Sequence, residues 1–265
     1  DGRRCQVPAT AVAAGARLRV CVDLDMSFHH FRLDPAAIVH EDDTLLVVNK
    51  PSGVPVALSA TGQEGSLQQG VAEYLGGKAD RRPAVLHRLD LRTSGLVLFA
   101  KDPAAEKKIY ESFRLRQIHK EYLALSCPAP LKEEAVITTR IARRTDRRNQ
   151  YKVCRERGQE ALTRFRRIAL LRWPALAGGT GREVALLRVR PETGRPHQIR
   201  VHLAWLGAPV LGDALYGGLS DPDIFGLHAW RLQLVHPATG KTLQLEAPLP
   251  EAWRTRFPEL SMIVL

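Results

Sequence analysis

The sequence predicts an α+β domain built around a mixed β-sheet. Segments with the apolar patterns of strands outnumber those with helical patterns, and the two kinds do not alternate as a regular βαβ repeat would. The 265 residues are 45% hydrophobic, which is enough to bury a sizeable core in one large domain or in a domain with a small appendage.

The first half of the chain contains four predicted strands and one helix. The helix begins at Asp102, which can cap it, with Pro103 in the first helical position and Ile109 and Phe113 on one face. A Pro-to-Gly turn at 50–53 ends the second strand, and a linker is expected around 29–35. The strands are predicted over residues 17–24, 43–48, 96–100 and 121–125.

The second half combines further strands, one helix and a hairpin. The polar stretch 143–150 predicts a protruding loop or hairpin. A tight turn over 192–195 should lead into a helix that begins at Pro196, carries Ile199, Leu203 and Leu206 on one face and ends at Gly207. Strands are predicted over 162–171 and 184–189, joined by a Gly-rich connector at 177–181, and a hairpin over 232–234 and 243–245.

The charge balance indicates a polyanionic partner. The chain has 39 Lys and Arg against 28 Asp and Glu, a net charge of +11 and a pI near 9.9. Residues 140–172 carry 12 of the basic residues and only 3 acidic ones. Nucleic acid is therefore the first candidate partner.

The cysteines favour neither a zinc site nor a disulfide framework. Cys5, Cys21, Cys127 and Cys154 lie far apart and form no Cys-x-x-Cys pair. No apolar run approaches the roughly 18 residues that cross a bilayer, and no signal sequence is recognisable. These features predict a cytoplasmic protein with reduced thiols and no membrane association.

The segment 86–95 places a carboxylate in a basic turn just before an apolar strand. Asp90 has Arg88 two residues before it and Arg92 two residues after it. Nearby positive charge favours the ionised form of a carboxylate, which can act as a nucleophile. The alternative is that both arginines bind phosphate in solvent and Asp90 only caps the turn.

Five motifs in this order resemble the RluA-like family of pseudouridine synthases, over roughly residues 38–250. They are Asn49-Lys50-Pro51-x-Gly53, His87-Arg88-Leu89-Asp90-x-x-Thr93-Ser94-Gly95, Lys120-Glu121-Tyr122-x-Ala124, residues 192–202, and Leu211-Gly212-Asp213-x-x-Tyr216-Gly217. The resemblance implies a mostly antiparallel sheet, with helices and loops around a central active-site cleft. It also implies isomerisation of uridine to pseudouridine in structured RNA by a monomer, without a cofactor or metal.

The resemblance assigns roles to five side chains. Asp90 would attack the ribose anomeric carbon or the uracil ring, and Arg200 would pair with Asp90. Tyr122 would stack on the base, with a part in proton removal from carbon 5; otherwise it is a core tyrosine. Arg88 would fill the space left by a flipped uridine. Ile199 would support the uracil, but its place in the apolar stripe of the helix equally fits a packing role. The alternative for Arg200 is an exposed arginine on the helix, which is the default for any single arginine.

Further residues are candidate RNA contacts. His197 and His202 lie five residues apart, so they do not form an i, i+4 metal pair, and they are interpreted as supporting the turn or the RNA. The segment at about 140–160 would grip RNA; alternatively it is a solvated charge run. The contacts assigned to RNA are Arg88, His87, Thr93, Ile199, Arg195, His197, Arg143, Arg144, Arg147 and Arg148.

The expected organisation is a short N-terminal piece followed by a catalytic domain. Residues 1–33 resemble the remnant of an alpha-L RNA-binding module plus a linker, and residues 34–265 the catalytic domain. The remnant favours large-subunit rRNA over tRNA as the substrate. The alternatives are a tRNA substrate, a non-catalytic RNA-binding or ribosome-assembly protein on the same scaffold, and a glycoside hydrolase in which Glu192 or Asp213 is the second carboxylate.

Overall fold

The computed structural model describes residues 31–57, 65–76, 83–147, 149–173 and 181–264. Within these residues the strands are β1 (Ile38–Glu41), β2 (Leu45–Lys50), β3 (Ala84–Val85), β4 (Ser94–Ala100), β5 (His119–Ser126), β6 (Glu134–Arg143), β7 (Tyr151–Cys154), β8 (Gln159–Trp173), β9 (Arg182–Pro191), β10 (Leu227–Val235) and β11 (Thr242–Glu246). The α-helices are α1 (Leu67–Leu75), α2 (Pro103–Arg114), α3 (Gln198–Trp205) and α4 (Glu251–Arg256). None of the described helices is long and apolar enough to span a membrane.

All of these strands belong to one mixed sheet. Its order is β1-β2-β4-β10-β5-β9-β8-β6-β7, with β3 on β4 and β11 on β10. Every described pairing is antiparallel except that of β4 with β10, where Ser94 is opposite His228. The predicted α+β class with a mostly antiparallel sheet is confirmed.

Both faces of the central strands are covered, which explains the uninterrupted apolar run of β4. Val97 and Phe99 pack in the cluster that contains α1 and α3, whereas Leu96 and Leu98 pack on the opposite face with α2. Successive side chains of a strand point to opposite faces, so a strand covered on both sides is apolar throughout. Leu33 is buried in the first cluster, so the packed domain already includes this residue.

The helix that contains the fourth motif begins later than predicted. Pro196 was expected in its first position, but α3 begins at Gln198 because His197 takes a left-handed conformation with φ 55°. The helix ends at Trp205, two residues before Gly207 with φ 74°, close to the predicted end.

The other predicted elements that lie in described residues are confirmed. Helix α2 is capped by the Asp102 side chain, and β10 and β11 form the predicted hairpin with Leu232 opposite Leu245. The polar stretch 143–150 joins β6 and β7 as a hairpin. Helix α1, capped by Ser66, was not predicted. The strand over 17–24 and most of the connector at 177–181 lie outside the described residues.

Candidate active site

Asp90 lies in a tight turn that leads into β4. The turn closes through a hydrogen bond from the Thr93 amide to the Asp90 carbonyl at 3.1 Å. Beneath it, the buried Lys50 ammonium donates to the carbonyls of Pro51 (2.9 Å), Val54 (2.8 Å) and Leu91 (3.0 Å). Burial lowers the pKa of Lys50 to about 7, against the attraction of Asp90. Lys50 therefore holds the backbone next to Asp90 in place.

Arg92 fixes the same turn from the other side. Its Nη1 donates to the Gly212 carbonyl at 2.7 Å, and its guanidinium lies 5.1 Å from the centre of the Phe225 ring. The sequence suggested that Arg92 either favours the ionised form of Asp90 or binds phosphate in solvent. The structure shows that it ties the turn of Asp90 to the loop that carries Asp213.

Arg200 bridges two carboxylates. Its Nη1 donates to Oδ2 of Asp90 at 2.8 Å, while Nε and Nη2 donate to Oδ2 and Oδ1 of Asp213 at 2.6 and 2.9 Å. Burial opposes the charge of Arg200, but the hydrogen bonds and charges of Asp213 and then of Asp90 raise its pKa. The guanidinium of Arg200 therefore stays protonated. Oδ1 of Asp90 accepts no hydrogen bond from the described residues.

The role of Asp213 was missed in the sequence, which offered it only as a second carboxylate of a glycoside hydrolase. Asp213 is 2% exposed and its two oxygens are both held by Arg200. Glu192, the other candidate, is paired with Arg164 at 3.1 Å. Neither carboxylate is therefore arranged as a free partner of Asp90. The only sequence feature that pointed to a role for Asp213 was its position in the fifth motif.

Tyr122 and Ile199 form an apolar wall of the site. Tyr122 lies on β5 between Ala229 of β10 and Val189 of β9, and both Tyr122 and Ile199 are buried in one cluster with Leu89. Burial, with a contribution from the charge of Asp90, raises the pKa of Tyr122. Its ring is a neutral phenol at physiological pH, which favours stacking over action as a phenolate base.

The turn before α3 is organised by the buried side chain of Gln198. Its Oε1 accepts from the Thr193 hydroxyl at 2.7 Å and the Arg195 amide at 3.0 Å. Its Nε2 donates to the Leu162 carbonyl at 3.0 Å and the Thr163 hydroxyl at 2.9 Å. These four bonds join the turn to β8 and set the direction in which α3 starts.

The two histidines of this motif have different surroundings. His197 Nε2 lies 3.9 Å from Oδ1 of Asp90, and Nδ1 is 2.8 Å from the Tyr216 hydroxyl. His202 is fully buried between the hydroxyls of Thr139 and Thr163, at 2.8 Å from each. Burial lowers the pKa of His202 to about 4. His202 therefore joins α3 to β6 and β8, and His197 borders Asp90.

Three of the predicted RNA contacts are engaged within the fold. The His87 ring accepts the Leu98 amide at 3.2 Å, and burial with the charge of Lys120 lowers its pKa to about 3, so it carries no charge for RNA. Thr93 is 2% exposed. Arg195 donates through Nε to the Glu160 carbonyl at 2.8 Å. These positions favour support of the turns over contact with RNA.

Apart from Ile199 and His197, the remaining predicted RNA contacts are arginines that lie at or near the surface where they are described. Arg88, two residues before Asp90, is exposed and has no hydrogen-bond or ion-pair partner within the described part of the chain. Arg143 and Arg147 are exposed on the β6–β7 hairpin, and Arg144 donates to Asp146 at 3.0 Å. Arg148 lies outside the described residues.

One group of potential metal ligands lies at the other end of β4 and β10. His40 and His236 each place Nε2 next to Oδ2 of Asp42, at 2.7 and 2.9 Å. However, Nδ1 of His236 accepts the amides of Ala238 and Thr239, so its Nε2 carries the proton and offers no lone pair to a metal. The group is a hydrogen-bonded connection between two turns.

Known proteins show the same sequence pattern and fold. Residues 44–205 match the family model described as RNA pseudouridylate synthase. The chain is 32% identical to ribosomal large subunit pseudouridine synthase D of Salmonella typhimurium, over 95% of this chain and 78% of that protein. Identity to the protein of the same name from Pasteurella multocida is 33%, over 98% and 81%.

Solved structures agree. Human RNA pseudouridylate synthase domain containing 1 superposes with a TM-score of 0.67 at 28% identity, covering 81% of this chain and 83% of that one. Human RNA pseudouridylate synthase domain containing 4 gives 0.63 at 28% identity, over 83% and 92%. The chain therefore belongs to the RluA-like family of pseudouridine synthases and is an RNA-modifying isomerase of that family.

Proposed function

We propose that this enzyme converts specific uridines of large-subunit rRNA to pseudouridine, with Asp90 as the nucleophile. The observation that carries the proposal is the carboxylate of Asp90, whose Oδ2 is held by Arg200 while Oδ1 accepts no hydrogen bond from the described part of the chain. The 28% exposure of the side chain leaves room for a substrate. The choice of RNA follows from the names of the relatives, which align over nearly the whole chain.

The reaction needs an extruded base. A uridine stacked in folded RNA cannot reach a carboxylate in a cleft, and unstacking it costs about a few kcal/mol. The exposed side chain of Arg88, two residues before Asp90, would take the vacated place in the RNA stack. The uracil would then lie against the apolar wall of Tyr122 and Ile199.

Each proton and bond of the isomerisation can be followed. Oδ1 of Asp90 forms a bond to the ribose anomeric carbon as the bond to uracil N1 breaks, or to the uracil ring before that cleavage. The detached base keeps the bonding electrons, turns, and bonds through carbon 5 to the anomeric carbon. On the first route Asp90 leaves the anomeric carbon as that bond forms; on the second it leaves the ring together with the carbon 5 proton, which restores the ring double bond. Loss of the carbon 5 proton to solvent and gain of a proton at N1 complete the exchange.

The experiment that tests the proposal is tritium release from carbon 5 of labelled uridine in a large-subunit rRNA transcript. Wild type should release tritium, and Asp90→Asn, which keeps the shape of the side chain, should release none. Circular dichroism of the variant should match wild type. Full activity of Asp90→Asn would overturn the role of Asp90, and release from tRNA transcripts but not rRNA would overturn the substrate.

A further inference from the structure

A series of polar contacts joins the basic hairpin to the nucleophile. The Tyr151 amide, at the start of β7, donates to the Tyr216 hydroxyl at 2.9 Å. That hydroxyl lies 2.8 Å from Nδ1 of His197, whose Nε2 lies 3.9 Å from Oδ1 of Asp90. The first two contacts are hydrogen bonds, and the last exceeds hydrogen-bond distance.

The surroundings of His197 favour one tautomer. The Tyr216 oxygen accepts the Tyr151 amide, and among the described residues His197 Nδ1 is the acceptor within reach of the hydroxyl proton. Nδ1 is then unprotonated and Nε2 carries the hydrogen. This tautomer directs an N–H towards the carboxylate of Asp90, which is also the electrostatically favourable orientation.

The hairpin is attached to the short 3-10 turn Ala214–Tyr216 at a second point. The buried side chain of Gln150 donates to the Leu215 carbonyl at 3.3 Å, and the Gln150 carbonyl accepts the Arg144 amide at 2.8 Å. A displacement of the basic loop therefore acts directly on the residue that holds His197.

We propose that His197 is a positioning residue through which docking of the β6–β7 hairpin on RNA orients Asp90. When the hairpin is held by RNA, Tyr151 and Tyr216 bring His197 Nε2 to hydrogen-bond distance of Oδ1. One lone pair of Oδ1 then accepts this N–H and the other faces the substrate, while Arg200 holds Oδ2. The inference rests on the proposed function, since it assumes that Asp90 reacts with RNA.

The charged and titratable groups that face the His197 ring are Asp90, Arg200, Asp213, Tyr151 and Tyr216. Burial lowers the pKa of His197, Asp90 and Asp213 oppose this, and Arg200 adds to it. Because Nδ1 accepts the Tyr216 hydroxyl, protonation of the ring would require this hydrogen bond to reverse, with Nδ1–H donating to the Tyr216 oxygen. Without the hydroxyl, Nδ1 becomes free to take up a proton.

The test is Tyr216→Phe, which removes only this hydroxyl. We expect kcat on rRNA to fall about tenfold with KM unchanged, because the nucleophile is misaligned after binding. The ¹⁵N NMR signals of His197 should change from the Nε2–H tautomer to a mixture, and kcat should acquire a new dependence on pH in the range of histidine. Tyr110→Phe, an exposed tyrosine on α2, is the matched control and should behave as wild type.

A second variant keeps the test decisive if Tyr216→Phe is unstable. His197→Gln should lower kcat to a similar degree. Adding Tyr216→Phe to His197→Gln should lower kcat no further, when kcat is calculated per folded molecule. Wild-type kcat and an unchanged tautomer in Tyr216→Phe, or additive losses in the double variant, would overturn the inference. Inactivity of the wild type on rRNA would instead refute the proposed function.

Discussion

At the scale of single residues, the site depends on the guanidinium of Arg200, which is bonded to two carboxylates. Arginine presents a planar fork of donors that matches a carboxylate, and a lysine in its place could not bond two carboxylates with the same geometry. Arg200 uses Nε and Nη2 on the buried Asp213, which leaves Nη1 aimed at Asp90. The position of Asp90 is thus determined by a residue that is too buried to touch RNA.

Asp213→Asn should therefore impair catalysis although Asp213 is not itself a catalytic residue. One of the two hydrogen bonds to Arg200 is lost and the buried cation keeps only Asp90 as a charged partner. We expect kcat to fall at least about tenfold and stability to fall by about 3 kcal/mol or more. Tritium release and urea denaturation measure the two effects. Asp223→Asn, at an exposed carboxylate in the same loop, should change neither strongly.

At the scale of elements, the β6–β7 hairpin carries an exposed basic loop beyond the edge of the sheet. Its strands are in regular register from Arg140 opposite Cys154 to Arg143 opposite Tyr151, so the loop at 144–150 extends beyond the sheet. Arg143 and Arg147 are exposed there, while the strand residues below them pack on α3. These two arginines are therefore the groups of the loop that we expect to contact phosphates.

Arg143→Ala with Arg147→Ala should weaken RNA binding through the loss of phosphate contacts. Each lost contact should reduce the slope of log affinity against log salt by about 1, so the pair should reduce it by about 2. Filter binding at several salt concentrations measures this. Arg114→Ala with Arg254→Ala removes the same charge from α2 and α4 and is the control. An unchanged affinity and slope would show that the loop is only a solvated charge run.

The β1–β2 turn is a second element-level feature, held by Asp42. Its Oδ1 accepts the amides of Thr44 and Leu45, both at 2.8 Å, and its Oδ2 contacts His40 and His236. Burial raises the pKa of Asp42, but the hydrogen bonds from Thr44, Leu45 and His40 outweigh this and hold the pKa below its usual range.

Asp42→Ala should destabilise the protein in a pH-dependent way. Because the pKa of the carboxyl is lower in the folded than in the unfolded state, its contribution is complete above the unfolded value of about 4 and is lost as the pH falls through the folded one. We expect Asp42→Ala to lower the free energy of unfolding by about 1–3 kcal/mol at pH 7, and this difference should shrink as the pH falls below about 4. Urea denaturation at several pH values measures it, with the exposed neighbour variant Asp43→Ala as control. A difference that stays constant down to low pH would contradict the assignment.

At the scale of the whole molecule, the parallel pairing of β4 with β10 assembles the site. It places the turn of Asp90, just before β4, next to the loop at 212–224 that precedes β10. The two strands approach closely at Gly95, where an added Cβ would lie 2.2 Å from the Ala229 carbonyl oxygen and φ is 109°. Only glycine fits this junction.

Gly95→Ala should consequently destabilise the whole domain. Overpacking and the positive φ together should cost about 2–5 kcal/mol, which denaturant unfolding measures. Gly240→Ala has a φ of 70° and no atom within 4 Å of an added Cβ, so its cost should be the backbone term alone, about 1 kcal/mol. Equal losses in the two variants would show that the strands can separate without penalty.

Much of the catalytic centre was predictable because its residues lie in short motifs. Asp90 and Arg200, 110 residues apart, were paired from the family resemblance, and the structure places them at 2.8 Å. The hairpin at 143–150 followed from polarity alone. The start of α3 could not be predicted from the sequence. His197 takes a left-handed conformation because Gln198 is hydrogen-bonded to a distant strand, and the local preference of Pro196 does not decide it.

The sequence by itself determined the fold class, the polyanionic partner and the candidate nucleophile, since periodicity, charge and motif spacing are local properties of the chain. Only the tertiary structure decided the roles of Asp213, Arg92 and Lys50. Asp213 is bound by Arg200, 13 residues away, whereas Arg92 and Lys50 donate to backbone carbonyls on other loops. Every residue has a backbone carbonyl, so no sequence pattern marks one as a partner. The physical reason is that such contacts depend on which strands become neighbours in the sheet.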